Sequence, residues 1–259
     1  MSAFAALAAE LDAWAACGRR LSLWWRDDDA MVPSAALERL LALVADQDLP
    51  LCLAVVPEGT GPALADRLAR AHRVAIAQHG FAHRNHAGRH AKKSEYPPGR
   101  AQAAALAELA AGRTRLAALF GPRLMPVLVP PWNRIAPALL PALPGLGFAA
   151  LSTFGPRAAA AAAPGLVQVN THVDPVAWHG GRGFLGADAA LAPFLAHLAR
   201  CRQAWTADED AKADEACGLL THHLAMDEAG WHFTARFLAA TAAHPAVRWL
   251  DIGQAMAGG

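Results

Sequence analysis

Apolar residues along the chain fall into short unbroken runs separated by longer stretches with a helical period. The short runs lie at 21–25, 51–56, 74–77, 124–129, 148–152, 166–170, 218–221 and 247–250. Their length and bounding polar or Gly/Pro residues predict strands. Helical patterns occupy 34–45, 62–71, 100–120, 187–205 and 227–243, and Pro33, Gly61-Pro62 and Pro98-Gly99 supply start punctuation for the first three. Residues 3–17 set Phe4, Leu7, Leu11 and Trp14 on one stripe, which predicts an amphipathic helix. Strands alternating with helices imply βαβ units and a mainly parallel sheet. Arg157 is followed by six alanines and then Pro164, a poor crossover helix. The expected fold is therefore a distorted or incomplete (β/α) barrel of seven to eight parallel strands, one domain over 1–259.

Polar residues gather at the ends of these runs. Asp27-Asp28-Asp29 follow the first, His79 and His83 the third, and Pro130-Pro131-Trp132-Asn133-Arg134 the fourth. Thr171-His172-Val173-Asp174 follow the sixth, His222-His223 the seventh, and Asp251 the eighth. In a parallel barrel the C-terminal strand ends share one mouth, so six distant segments would meet there.

Composition narrows the options. Hydrophobic residues make up 54% and charged residues 17%, enough apolar material for a core. The formal net charge is +1 with no basic block, which argues against a nucleic-acid partner and for a small or neutral substrate. No run is long enough for a transmembrane span. The first residues carry Glu10 and Asp12 without a basic start, unlike a secretion signal. Cys17, Cys52, Cys201 and Cys217 form no CxxC pair, so reduced thiols and a cytoplasmic location are expected.

His79 and His83, four residues apart, would stack on one side of a helical turn and reach one ion. A divalent metal held by two imidazoles and one carboxylate keeps an open position for water. A second carboxylate can take the water's proton, and a histidine opposite can protonate a leaving group. Gly80 stands where an HExxH protease carries its Glu, which excludes a zincin.

These residues resemble the polysaccharide deacetylases of carbohydrate esterase family 4, over about residues 24–223. Arg26-Asp27-Asp28-Asp29-Ala30 is similar to the family's Thr-Phe-Asp-Asp-Gly, which implies Asp28 as catalytic base and Asp29 as metal ligand; a one-residue slip would give Asp27 and Asp28. His79-Gly80-Phe81-Ala82-His83-Arg84 resembles His-Ser/Thr-x-x-His-Pro, implying His79 and His83 as ligands. Val129-Pro130-Pro131-Trp132-Asn133 resembles Arg-x-Pro-Tyr/Phe-Gly without its leading Arg, a place that Arg26 or Arg134 could take. Asp174 with Trp178 resembles the fourth motif, and Leu220-Thr221-His222 the fifth, implying His222 as the acid with His223 as alternative. Pro131, Trp132, Arg134, Asp174 and Trp178 are the implied substrate contacts.

The resemblance implies a barrel hydrolase with a divalent metal, zinc first, that removes an acetyl group from an N-acetylated sugar or oligosaccharide. Two alternatives stay open: an amidase or deformylase on a non-sugar amide, and a catalytically silent saccharide-binding barrel. The polar run His86, His90, Lys92, Lys93 and Glu95 reads either as a solvated loop or as a cover whose cations grip a substrate phosphate or carboxylate. Trp231 could stack on a sugar or simply pack, and His172 could sit at the rim or be a satisfied histidine.

Overall fold

The computed structural model describes residues 2–179, 181, 183–207 and 215–258. Ten strands form one sheet: β1 (Leu21–Ala30), β2 (Leu51–Val55), β3 (Val74–His79), β4 (Leu124–Val129), β5 (Ala150–Leu151), β6 (Ala161–Ala163), β7 (Leu166–Gln168), β8 (Thr171–Val173), β9 (Cys217–Thr221) and β10 (Val247–Trp249). Their order is β6-β7-β5-β4-β3-β2-β1-β9-β8, with β10 paired to the start of β1. All pairings are parallel except β6 with β7. Among the described residues seven α-helices accompany them: α1 (Ala3–Ala16), α2 (Ala35–Gln47), α3 (Pro62–Ala69), α4 (Gln102–Phe120), α5 (Ala187–Ala207), α6 (Glu228–Ala242) and α7 (Ile252–Ala257).

The expected distorted barrel is present, and its distortion has a local cause. The sixth run does not end at 170; it breaks into β7 and β8 around Val169-Asn170. There the Asn170 side chain takes over the ladder's work: Oδ1 accepts from Thr153 N and Oγ1, both at 2.9 Å, and Nδ2 donates to Gly155 O at 2.7 Å. A single Phe154–Thr171 bridge is what joins the β5 flank to β8, so the sheet stays short of full closure. The alanine run is no crossover helix, and its last three residues are the antiparallel β6.

Side-chain alternation on β1 decides what faces where. Leu21, Leu23 and Trp25 point outward into the layer under the helices, with Leu51, Leu53, Val55, Phe194 and Phe237. Trp24 points inward among Cys52, Ala54, Ala77, Val127, Val129 and Ala150. These are mostly small, and space remains inside for the fully buried Arg26. α1 buries Leu7, Leu11 and Trp14 as its stripe predicts, and Phe4 sets its ring against Phe233 at 5.7 Å. Among the described residues no helix is long and apolar enough to cross a membrane.

Two placements correct the expectations. β1 does not stop at Trp25; it runs through the three aspartates to Ala30. Asp251 is not at the mouth: it is exposed, caps α7 and forms a capping box with Gln254.

Candidate metal centre

Strict alternation would send Asp28 inward and Asp29 outward. The β1–β2 register shifts between Asp27 and Ala30, and Asp29 adopts a left-handed backbone with φ 73°. This bulge re-aims Asp29, a device often found beside functional sites. Its Oδ1 lies 3.0 Å from His79 Nε2 and 3.2 Å from His83 Nε2. His79 ends β3, while His83 sits in the following loop with φ 53°, so the pair meets through a tight loop and not the helical turn expected from its spacing.

The loop is built around Gly80 and Glu95. Gly80 has φ 56°, and a Cβ there would stand 2.0 Å from Glu95 Oε2 and 2.6 Å from Pro131. Fully buried Glu95 accepts from Phe81 N at 3.0 Å and Ala82 N at 2.7 Å. Glu95 thus belongs to the frame of the site and not to a solvated run. Trp132, also left-handed at φ 57°, packs its ring on His83 at 4.4 Å.

The three donor atoms fit a cation on grounds of proton bookkeeping. His79 Nδ1 lies 3.0 Å from Val129 O, which can only accept, so Nδ1 carries the hydrogen. The Nε2 lone pair of a neutral ring therefore faces a carboxylate oxygen at hydrogen-bond distance. That contact is repulsive unless a metal lies between the groups or the ring gains a second proton. The charge balance without metal follows the second route. Burial opposes charge on His79, but Asp28 and Asp29 outweigh it and raise its pKa. Burial likewise opposes the Asp29 carboxylate, yet hydrogen bonds from His79 and His83 hold it well below the usual carboxylate range.

Asp28 and Asp27 take opposite fates. Asp28 faces Arg26 two residues back on the same strand side, with Arg26 Nε 2.9 Å from Oδ1 and Nη2 3.1 Å from Oδ2. Arg26 also donates to Ser152 Oγ and Asn133 Oδ1, both at 2.7 Å. Of the two arginines considered for the motif's missing one, Arg26 is the one that contacts Asp28. Arg134 does not: it is exposed and donates to Lys93 O. Asp27 points to the other side of β1, where its Oδ2 accepts from Thr221 Oγ1 at 2.7 Å and His223 N at 3.0 Å, and its Oδ1 meets His223 Nδ1. Asp27 and His223 are therefore paired with each other.

His222 stands 3.8 Å from Asp28 Oδ2 through Nε2, beyond a hydrogen bond. Trp178 packs edge-on to the His222 ring at 4.5 Å and donates from Nε1 to Asp174 Oδ2 at 2.7 Å. Burial pushes the Asp174 carboxyl up, partly offset by His222 and that indole hydrogen bond. Pro131 is buried against Gly80, and Trp231 is buried on α6 beneath the Arg39 guanidinium. His172 is not at the rim: it faces Glu215 and His197 on the outer side of the sheet. Sequence reasoning missed Ser152, Asn133 and the framing role of Glu95. Asn133 (φ 57°) closes the third motif and Ser152 closes the fifth apolar run, the one signal that pointed toward them.

No family model and no curated protein matches the sequence. Solved structures do match in fold. A Mycobacterium smegmatis protein assigned as a polysaccharide deacetylase aligns over 93% of this chain and 90% of its own, at 17% identity and TM-score 0.65. A peptidoglycan N-acetylglucosamine deacetylase bound to an N-hydroxybenzamide aligns over 92% and 89%, at 12% identity and TM-score 0.57. A family 4 acetyl xylan esterase from Clostridium thermocellum, in complex with a cobalt ion, aligns over 91% and 90%, at 12% identity and TM-score 0.52. The distorted (β/α) barrel of this chain is thus the fold of polysaccharide deacetylases and family 4 carbohydrate esterases.

Proposed function

We propose that the protein is a cytoplasmic, metal-dependent hydrolase that removes an acetyl group from an N-acetylated sugar or saccharide conjugate. The observation that carries this reading is the convergence of one donor triad (Asp29, His79, His83) with a separate carboxylate and a separate imidazole, Asp28 and His222. The triad would hold one divalent ion, zinc first. When bound, such an ion lowers the pKa of a water and polarises the acetyl carbonyl.

The chain's own residues supply the proton chemistry. Arg26 orients Asp28, so the carboxylate is placed to take the water's proton as the oxygen attacks the carbonyl carbon. His222, placed by Trp178, gives a proton to the leaving amine nitrogen as the C–N bond breaks. Val129 O fixes the tautomer of His79, the orienting contact that metal-binding histidines need. Pro131, Trp132, Arg134, Asp174 and Trp178 border the site as substrate contacts.

The test is acetate release from a panel of N-acetylated sugars, measured with metal-loaded protein, after chelation, and after zinc is returned. Activity should vanish with the chelator and come back with zinc. Asp28→Asn should keep its metal and lose turnover. Unimpaired turnover by metal-free protein would sink the reading.

A further inference from the structure

The loop that follows the histidine pair is strongly basic: Arg84, His86, Arg89, His90, Lys92 and Lys93 occur within ten residues in a chain of net charge +1. A solvated face would normally spread such charge among acids. Among the described residues only Arg84 of these has an acidic partner, Glu58 at 3.1 Å. Among the described residues Arg89, Lys92 and Lys93 have none. Glu95, the nearest carboxylate in sequence, is buried and committed to backbone N–H groups.

The loop is also well tied down. Asn85 Oδ1 accepts from Ala87 N at 3.1 Å and Ser94 N at 3.0 Å, and His86 N donates to Ser94 O at 2.9 Å. Ser94 Oγ donates to Arg134 O, and Arg134 Nη1 returns a bond to Lys93 O at 3.0 Å. Lys92 and Arg134 both border a cavity of about 530 Å³, and its lining includes no acidic residue. Asn133 and Thr153 also line that cavity. Asn133 Oδ1 and Thr153 O both accept from Arg26, which holds Asp28. Asn133 and Thr153 thus connect the lining of this cavity to Arg26, and the rest of the lining is largely apolar, including Tyr96, Ile135 and Leu140.

We propose that Lys92 and Arg134 bind an anionic group, phosphate or carboxylate, on the substrate, so that the protein acts on an acidic N-acetylated sugar derivative and not on a neutral polymer. This deepens the deacetylase reading and rests on it for the word substrate. An ammonium and a guanidinium on the lining of one cavity attract and orient an anion, and because both are solvent-exposed their pull is sensitive to salt.

The experiment compares N-acetylglucosamine, N-acetylglucosamine 6-phosphate and N-acetylmuramic acid on the metal-loaded protein. kcat/KM should favour one of the two anionic compounds over the neutral sugar by about tenfold or more, and which one wins separates phosphate from carboxylate. Lys92→Gln should cut that ratio several-fold, and Lys92→Glu should remove it. Raising salt to about 0.5 M should shrink it as well. Equal rates on all three in the native protein, or a ratio unmoved by Lys92→Glu, overturns the proposal. Calorimetric titration of the metal-free protein with N-acetylglucosamine 6-phosphate separates the two readings. Lys92-dependent binding without turnover of any amide keeps the anion site and removes the deacetylase. Turnover without discrimination does the reverse.

Discussion

Two groups of metal-type donors stand out among the described residues, one part-exposed at the mouth and one buried, and they differ in where their protons sit. Asp29, His79 and His83 lie at the C-terminal ends of β1 and β3. His172, His197 and Cys217 lie outside the sheet, between β8, β9 and α5, beside Glu215. In both groups the donor atoms fall within 4.8 Å of one another. His79 hands its Nδ1 hydrogen to Val129 O and turns a lone pair toward its partners. His172 does the opposite: Gly218 N–H donates to its Nδ1 at 3.2 Å, so Nε2 bears the hydrogen and faces Glu215 Oε1 at 3.3 Å. A nitrogen that already carries a proton is no ligand. Proximity alone therefore does not make a metal centre; the contact on the far ring nitrogen decides it.

That contrast predicts one bound divalent ion per chain, lost in one set of variants and kept in the other. His79→Ala or Asp29→Asn should empty the site and lower deacetylation about a thousandfold or more, since the ion's share of transition-state stabilisation is several kcal/mol. His172→Ala should still carry one ion by elemental analysis. Two ions in the native protein, or one that disappears with His172→Ala, would break the comparison.

Arg26 gives the next largest effect, because it is fully buried and its ion pair with Asp28 is shielded from water. Arg26→Ala leaves a buried carboxylate without its cation, a loss of about 3–5 kcal/mol. The measurement is the urea midpoint, with turnover followed beside it. Arg26→Lys should recover part of the stability but less of the activity, because an ammonium cannot reach Asp28, Ser152 and Asn133 together. Equal stability of Arg26→Ala and the native protein would mean that Asp28 is solvated.

Gly80 tests the frame around the ligands. Gly80→Ala demands a left-handed alanine and pushes a Cβ into Glu95 and Pro131. The strain is about 1–3 kcal/mol, and relieving it means moving the carboxylate that pins Phe81 and Ala82. Zinc affinity measured by competition with a chelator should fall about 10–100-fold, as for loss of other outer contacts to a metal site. An unchanged affinity would show that the loop can shift without moving His79 or His83.

How much of this was visible in the sequence follows from what each residue's position depends on. The strand-and-helix order was legible because burial imposes a period, and α1's stripe reads directly as Leu7, Leu11 and Trp14. Strand ends alone marked the segments of Asp28, Asp29, His79, His83 and His222 but also His172 and Asp251, and the resemblance was needed to choose among them. The register of the three aspartates did not, because it depends on a bulge and a left-handed residue that no local pattern marks. Arg26 was one of two candidates for the missing arginine, and only the inward face of β1 separates it from Arg134. His172 looked like a mouth residue because it follows an apolar run, yet that run continues as β8 and turns it outward. Asp251 was misplaced for a similar reason: a helix cap and a strand-end ligand carry the same sequence signature.

The smallest effect lies in the outer group and is a slope, not a level. Burial and the neighbouring His172 depress His197 to about 4, well under its ordinary 6.5. The folded ring therefore stays neutral while the unfolded ring takes a proton as pH falls from about 6.5 toward 4. Stability from this group is present above that window and is lost within it as acid is added, by about 1 kcal/mol between pH 6 and pH 5. Glu215 adds a loss of the same sign at lower pH. Burial opposes its charge, but His172, His197 and the Arg157 N–H hold its pKa below the ordinary value, so its contribution goes as it is protonated. His197→Gln should flatten the slope between pH 6 and pH 5 whatever it does to stability at neutral pH, since glutamine has no proton to take up. Urea denaturation at each pH, with and without chelator, makes the measurement decisive for the contrast between the two groups. A proton-driven slope is indifferent to chelator. If chelator removed it, the outer histidines would be releasing a metal as they titrate, and the tautomer argument that sets them apart from His79 and His83 would fail.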